Sequence, residues 1–280
     1  SNMSDQPPVR LDVDADGIAT LTLNRPDQLN AFDLKMIEAW RAALESAEAD
    51  ERVKVIVVTG AGRAFCAGGD FEEMAKFSEM NSLDRKNFLY RNVHRIPLAL
   101  ERMDKPVIAA INGAAVGIGA TMTLPMDVRL ASDKARIGFV FGRIGIVPEA
   151  CSTWFLPRIV GLQQALDWVY AADILSPQQA LEGRLVKAVV PHEQLLDEAH
   201  ALAHKYIDGR SPVSIALMRQ MLLRNHVAAH PRQAHAVESL AMLHTSRNDG
   251  REGVASFNEK RAPVFTGRAS TDLPDFYPWW

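Results

Sequence analysis

Apolar residues recur along this chain in two rhythms, and the change from one to the other outlines its architecture. Val53-Lys54-Val55-Ile56-Val57-Val58 and Val107-Ile108-Ala109-Ala110-Ile111 are short apolar runs that suit strands covered on both faces. Nearer the start, Leu11 and Val13, a turn at Asp14-Ala15-Asp16-Gly17, and then Ala19, Leu21 and Leu23 alternate with period two and predict an opening hairpin. A helical rhythm follows. Asp33 stands as its N-cap, and Met36, Ile37, Trp40, Ala43 and Leu44 form one stripe of a helix running to Ala49. Strand-loop-helix units continue to about residue 190. From Glu193 to Met242 the pattern is helical, broken at Ser211-Pro212 and His230-Pro231. The expected organisation is α/β followed by all-α.

Each of the two buried runs leads into a glycine-rich loop, Phe65-Cys66-Ala67-Gly68-Gly69-Asp70 and Asn112-Gly113-Ala114-Ala115-Val116-Gly117-Ile118-Gly119. A helix is expected after each. Such loops aim backbone N–H groups, one of them at a helix N-terminus, at negative charge developing between them. Tight turns and close helix-strand packing also call for glycine, so it is the pairing of the loops that points to a site. A dinucleotide fold does not fit: the third glycine of G-x-G-x-x-G would fall at Met122, and no acidic residue stands at the ribose distance. The chain also lacks a phosphate-binding G-x-x-x-x-G-K-[ST] and a G-x-S-x-G nucleophile elbow.

The two loops, in this order and spacing, resemble the crotonase (enoyl-CoA hydratase/isomerase) superfamily. Further segments follow the family's order: Leu21-Thr22-Leu23-Asn24-Arg25-Pro26 with Leu29-Asn30-Ala31, Val58-Thr59-Gly60-Ala61-Gly62-Arg63-Ala64-Phe65, Lys105-Pro106-Val107-Ile108-Ala109-Ala110, Trp154-Phe155-Leu156-Pro157-Arg158, and Phe257-Asn258-Glu259-Lys260-Arg261 with Gly267-Arg268. The resemblance covers about residue 10 to residue 268. It implies an α/β, crotonase-like spiral of ββα units over 8–200 that holds an acyl-CoA site, a helical region over 201–270 that packs on neighbouring subunits, and a tail over 271–280. The implied assembly is a homotrimer or homohexamer. The implied substrate is an acyl-CoA thioester, with coenzyme A entering as part of the substrate and no separate cofactor.

Carried over residue by residue, the resemblance puts the thioester carbonyl between the backbone N–H groups of Ala67 and Ile118. Contacts to coenzyme A and the acyl group are implied at Leu29, Asn30 and Ala31, at Ala67, Gly68, Gly69, Asp70 and Phe71, and at Gly117, Ile118 and Phe141. Many relatives carry a lysine where this chain has Gln28. Phe257 and Lys260 could act from a neighbouring subunit, although Lys260 in its charged run also reads as an ordinary exposed lysine.

The departures narrow the chemistry. The two glutamates with which hydratases of the family handle water fall here on Thr121 and Phe141. A threonine hydroxyl cannot serve as an ordinary general base. Glu149, after Pro148, stands where the Δ3,Δ2-enoyl-CoA isomerase branch and ring and dienoyl isomerases carry a proton-shuttling acid; it also reads as a charge in the first turn of a helix that Ser152 or Thr153 caps. As a shuttle it needs a raised pKa, expected from a pocket of Phe139, Phe141, Ile118 and Trp154. One base can move a double bond but cannot easily position a water as well, which favours isomerase over hydratase. A hydratase using Glu149, another isomerase of the family, and a non-catalytic acyl-CoA-binding scaffold remain as alternatives.

Composition agrees. With 280 residues, 48% of them hydrophobic, the chain can bury a substantial core. A net charge of −3 without a long basic run gives no sign of nucleic acid, and no apolar run approaches the ~18 residues of a membrane span. No signal-peptide pattern opens the chain and Ser1-Asn2 ahead of Met3 has the form of a cloning remnant, so a cytoplasmic location is expected, with a removed targeting segment left open. Cys66 and Cys151, one in each candidate loop region, are expected as small reduced thiols. His200 with His204, and His226 with His230, are spaced for helix faces and are expected on helix surfaces; no metal site is expected.

Overall fold

The opening hairpin forms as its alternation requires. Strand β1 (Val9–Val13) pairs antiparallel with β2 (Ile18–Leu23), with Val9 opposite Leu23 and Val13 opposite Ala19. The Asp14 carboxylate accepts the Asp16 and Ile18 N–H groups at 2.9 and 3.0 Å and so closes the turn. The computed structural model of the chain describes residues 6–69, 79–88 and 94–280. Helix α1 (Leu34–Ala49) begins where Asp33 accepts the Met36 N–H at 2.7 Å, and it buries Met36, Ile37, Trp40, Leu44 and Ala47, with Ala43 half-buried.

From there the chain winds as a spiral whose turns each lay one strand in each of two sheets. The first turn gives β3 (Val55–Gly60) and β4 (Ala64–Cys66), the next β5 (Val107–Ile111) and β6 (Ala114–Val116), and the third β7 (Val128–Ser132) and β8 (Arg136–Gly138). Strands β9 (Ile174–Leu175) and β10 (Ala188–Val190) complete the sheets, ordered β1-β2-β3-β5-β7-β10 and β4-β6-β8-β9. Pairing is parallel except at β1-β2 and β8-β9. Helices α2 (Ser82–Phe88), α3 (Arg95–Glu101), α4 (Ile118–Thr121), α5 (Ser152–Val160), α6 (Leu162–Ala171) and α7 (Pro177–Glu182) lie between the strands.

The continuous apolar runs are explained by cover on both faces of the larger sheet. Ile56, Val58, Val107, Ala109 and Ile111 point into the main core with Trp40, Phe65 and Phe139. Their neighbours Val55, Val57, Ile108 and Ala110 meet Leu195, Ala199, Leu202, Ala203 and Ile207 of α8 (Leu195–Ile207). The boundary expected at residue 200 falls inside this helix, all of which packs on the sheet. Beyond it, α9 (Pro212–Asn225), α10 (Pro231–Arg247) and α11 (Asp249–Asn258) form the C-terminal region, with helix breaks at the two expected prolines. Arg219 ties α9 to the core, donating to Asp127 and to the carbonyls of Leu100, Glu101 and Met103. The second histidine pair is not on one helix face: His226 follows α9, and His230 caps α10 by accepting the Arg232 N–H. Of the first pair, both on α8, His200 meets the Thr20 hydroxyl and His204 lies between Asp16 and Asp208.

Two buried cations hold the frame through carbonyls instead of carboxylates. Arg129 donates to the carbonyls of Thr123, Leu124, Met126 and Leu185, and burial draws its pKa down to about 10. Lys105 donates to the carbonyls of Ala47, Glu48 and Asp50 at 2.7 to 2.9 Å, closing the C-terminal end of α1 where the helix dipole favours a cation. Lys105→Met fills a similar volume but leaves those carbonyls without their donor. We expect a loss of about 2 kcal/mol or more in urea unfolding, with an unchanged slope.

Candidate active site

The site follows from the pairing of β4 with β6, in which Ala64 stands opposite Ala114 and Cys66 opposite Ala115. Parallel neighbours end on the same side, so the loops that leave them emerge together. Two buried amides hold the entry to the first loop: Asn30 donates to Ala61 and Ala64 carbonyls, and Asn112 to those of Gly62 and Ala64. The second loop approaches so closely that a Cβ on Gly119 would lie 1.9 Å from the Cys66 carbonyl oxygen. Gly68, at φ +118°, faces the Val116 carbonyl in the same contact.

One expected donor in the loops is already bonded. Ala67 N–H donates to the Leu29 carbonyl at 3.0 Å and is therefore engaged. A parallel bridge joins Phe32 to Gly69, and Phe32 N–H donates to the Gly68 carbonyl. Positive φ at Gly68 breaks the extended alternation, so Gly69 does not repeat the orientation of Ala67. Gly69 N–H and Ile118 N–H donate to no carbonyl among the described residues. Ile118 opens α4, where an N–H has no partner within its own helix. Among the described residues, the loop donors without a carbonyl partner are thus Gly69 and Ile118, in place of Ala67 and Ile118.

Leu29 and Ala31 run beside this loop, joined to it through the Ala67 bond. Asp70 and Phe71 lie outside the described residues. Gly117 N–H donates to the Gly138 carbonyl, and the Gly117 carbonyl accepts from Ala120 and Thr121, which fixes the start of α4. Phe141 is buried in a short 3-10 helix, Val140–Ile144. Phe257 is 84% exposed on α11, and Lys260 is exposed just past that helix; both stand with the C-terminal helices.

Glu149 sits before α5, not within its first turn. Ala150 and Cys151, at φ +58° and +60°, turn the chain through two successive left-handed residues, and Glu149 O accepts the Ser152 N–H at 3.0 Å. Neither Ser152 nor Thr153 caps the helix: Cys151 occupies the N-cap without a side-chain bond, and the buried Ser152 hydroxyl has no partner among the described residues. The Thr121 hydroxyl donates to Glu149 Oε1 at 2.9 Å. Burial pushes the Glu149 carboxyl above its ordinary value, and the bonds from Thr121 and its own backbone offset part of that shift.

Of the aromatic residues expected around Glu149, Phe139 is buried and stacks on Trp168, while Trp154 packs edge-on to Phe155 with Arg158 over its ring. An apolar cavity of about 200 Å3 beside Pro148 is lined by Phe139, Leu156, Leu162 and Tyr170. Both cysteines are free. Burial pushes the Cys66 thiol up to about 12, so it is no nucleophile at neutral pH. The Thr121–Glu149 contact and the Gly69 donor are what sequence reasoning missed. A signal for the former lay in the position of Thr121, where a hydratase would carry its own acid.

Comparison with known proteins gives one consistent picture. Residues 14–268 match the family model described as Enoyl-CoA hydratase/isomerase. The chain is 40% identical over 261 residues to Enoyl-CoA hydratase ACTT3 of Alternaria alternata, covering 90% of this chain and 84% of that protein. It is 33% identical over 252 residues to 1,2-epoxyphenylacetyl-CoA isomerase of Escherichia coli (strain K12), covering 90% and 96%. The crystal structure of enoyl-CoA hydratase from Bacillus anthracis superposes with a TM-score of 0.84 at 30% identity, covering 93% of this chain and 99% of that one. No helix among the described residues is long and apolar enough to cross a membrane.

Two outcomes test this geometry without an activity assay. Gly119→Ala places a methyl group against the Cys66 carbonyl, and the loops must part; a lower urea midpoint, equivalent to about 1–3 kcal/mol, is expected. A carboxyl whose folded pKa lies above its unfolded one binds more protons when folded, so the contribution of Glu149 to wild-type stability falls as pH rises above the ordinary value of 4.5. Glu149→Gln carries no such penalty. Its urea midpoint should therefore gain on the wild type as pH climbs from 4.5 and level off once Glu149 is ionised; a constant difference from pH 4 to 8 would refute the raised pKa.

Proposed function

The chain belongs to the enoyl-CoA hydratase/isomerase family, and from that premise we propose that it is a Δ3,Δ2-enoyl-CoA isomerase with Glu149 as its proton shuttle. The observation that carries this reading is Glu149 itself: a carboxyl of raised pKa, held by the hydroxyl that stands at a hydratase glutamate position, with phenylalanine at the other. An acid paired with a neutral hydroxyl, with no second carboxylate at either hydratase position, suits proton transfer. It does not suit the joint handling of a water by two carboxylates.

The thioester oxygen of a 3-enoyl-CoA lies between Gly69 N–H and Ile118 N–H, which meet the negative charge as it develops. Loss of one such donor typically costs about 2.7–4 kcal/mol of transition-state stabilisation. Glu149 takes a proton from C2, the electron pair spreads into a dienolate ending on the thioester oxygen, and the same proton returns at C4, leaving the double bond between C2 and C3. Coenzyme A follows the backbone of Leu29 to Ala31 and of the Ala67 to Gly69 loop. Exposed Met218, Leu222, Leu240, Met242 and Leu243 on α9 and α10 supply an apolar face suited to a homotrimer or homohexamer.

The deciding experiment incubates wild type and Glu149→Gln with matched 3-enoyl-CoA and 2-enoyl-CoA esters. Double-bond migration should fall by about 10²-fold or more in the variant while CoA-ester affinity changes little. Water addition to 2-enoyl-CoA as the main wild-type reaction would make the chain a hydratase. Binding without turnover would make it a scaffold, and unchanged migration in the variant would remove Glu149 from the mechanism.

A further inference from the structure

Thr121 is wholly buried, and its hydroxyl has two acceptors in reach: Glu149 Oε1 at 2.9 Å and the Ile118 carbonyl at 3.3 Å. A hydroxyl has one proton to give, so the two compete. The shorter bond goes to the carboxylate, where the charge strengthens it. We propose that Thr121 is a positioning residue for the Glu149 shuttle: by holding Oε1 it makes Oε2 the oxygen that takes the substrate proton and gives it back. The inference rests on the isomerase reading above and adds to it the choice of oxygen.

The path of the proton enforces the choice of oxygen. When Oε2 takes the C2 proton, that C–H bond breaks and its electron pair moves into the dienolate. When the proton returns, the Oε2–H bond breaks and the dienolate pair forms the C4–H bond. Throughout, Oε1 remains an acceptor, first as part of a carboxylate and then as the carbonyl oxygen of the acid, so the Thr121 bond survives both steps. A proton on Oε1 would instead drive the Thr121 proton onto the longer Ile118 contact. The neutral acid is thus more stable with its proton on Oε2, and the carboxyl stays in one orientation through the cycle.

Few other groups act on this carboxyl. Its shift comes from burial, the Thr121 hydroxyl and its own backbone N–H, and no charged side chain among the described residues contributes. The titratable neighbour on the turn before α5 is the Cys151 thiol, itself pushed up by burial. From α4 the facing group is the Thr121 hydroxyl. Removing that hydroxyl should therefore read out directly in the acid limb of the rate profile.

The test uses trans-3-hexenoyl-CoA as probe and follows the appearance of the conjugated thioester across pH for wild type, Thr121→Val, Thr121→Ala, Thr121→Ser and Glu149→Gln. The two hydroxyl-free variants should lower kcat by about 10-fold or more, leave KM within about two-fold, and move the acid limb of kcat/KM up by about one pH unit. Thr121→Ser should restore both. Two hydroxyl-free variants are used so that misfolding of one leaves the other to decide. A wild-type profile in Val and Ala beside an inactive Glu149→Gln would overturn the role of Thr121 while the shuttle stands. A serine variant as impaired as valine would assign the effect to packing and overturn it equally. Full activity in Glu149→Gln would remove the shuttle and the inference together.

Discussion

The Gly119 α-carbon sits where a methyl group would lie 1.9 Å from the Cys66 carbonyl oxygen, and the placing of both loops follows from that contact. A side chain at Gly119 would force the loops apart and shift the N–H groups of Gly69 and Ile118, which have no carbonyl partner among the described residues. The amide side chains of Asn30 and Asn112 serve the same end from below, since both hold the Ala64 carbonyl just before the first loop begins. Backbone is thus positioned by buried polar groups that are themselves satisfied, which is the condition for such groups to rigidify a site instead of weakening it.

Against this rigid backbone the acid is placed under opposing demands. Burial disfavours its charge, while the Thr121 hydroxyl favours it, and the balance leaves the carboxyl above its ordinary value. The turn that presents it is strained, with Ala150 and Cys151 both in the left-handed region where residues bearing a Cβ are uncommon. Conformations of this kind persist where the surrounding structure over-determines them, and they cluster at functional sites.

How much of this was legible in the sequence depended on range. Local signals were readable: the Asp33 cap, the Asp14 turn, the apolar runs of β3 and β5, the proline breaks of the C-terminal helices, and Glu149 after Pro148. Signals that need a partner far along the chain were not. Nothing near Lys105 announces that it closes a helix more than fifty residues earlier, and the Thr121–Glu149 bond joins two segments that only the spiral brings together. The donor misplaced at Ala67 failed for a subtler reason. It was carried over by resemblance from the order of the motif, which does not show that the Leu29 carbonyl already takes the Ala67 N–H.

The spiral has a consequence for how such a chain can change length. Each turn delivers one strand to each sheet, with residues 61–63, 112–113 and 133–135 as the links between them. An extra residue in one of those links would slide one sheet's thread against the other and move a loop of the site away from its neighbour. An extra residue well past the site loops, as in the passage that holds α3 (Arg95–Glu101), would be absorbed before the next strand begins. The fold thus behaves as a screw of fixed pitch carrying adjustable handles, and variation in length can accumulate in the handles without altering how the two loops meet.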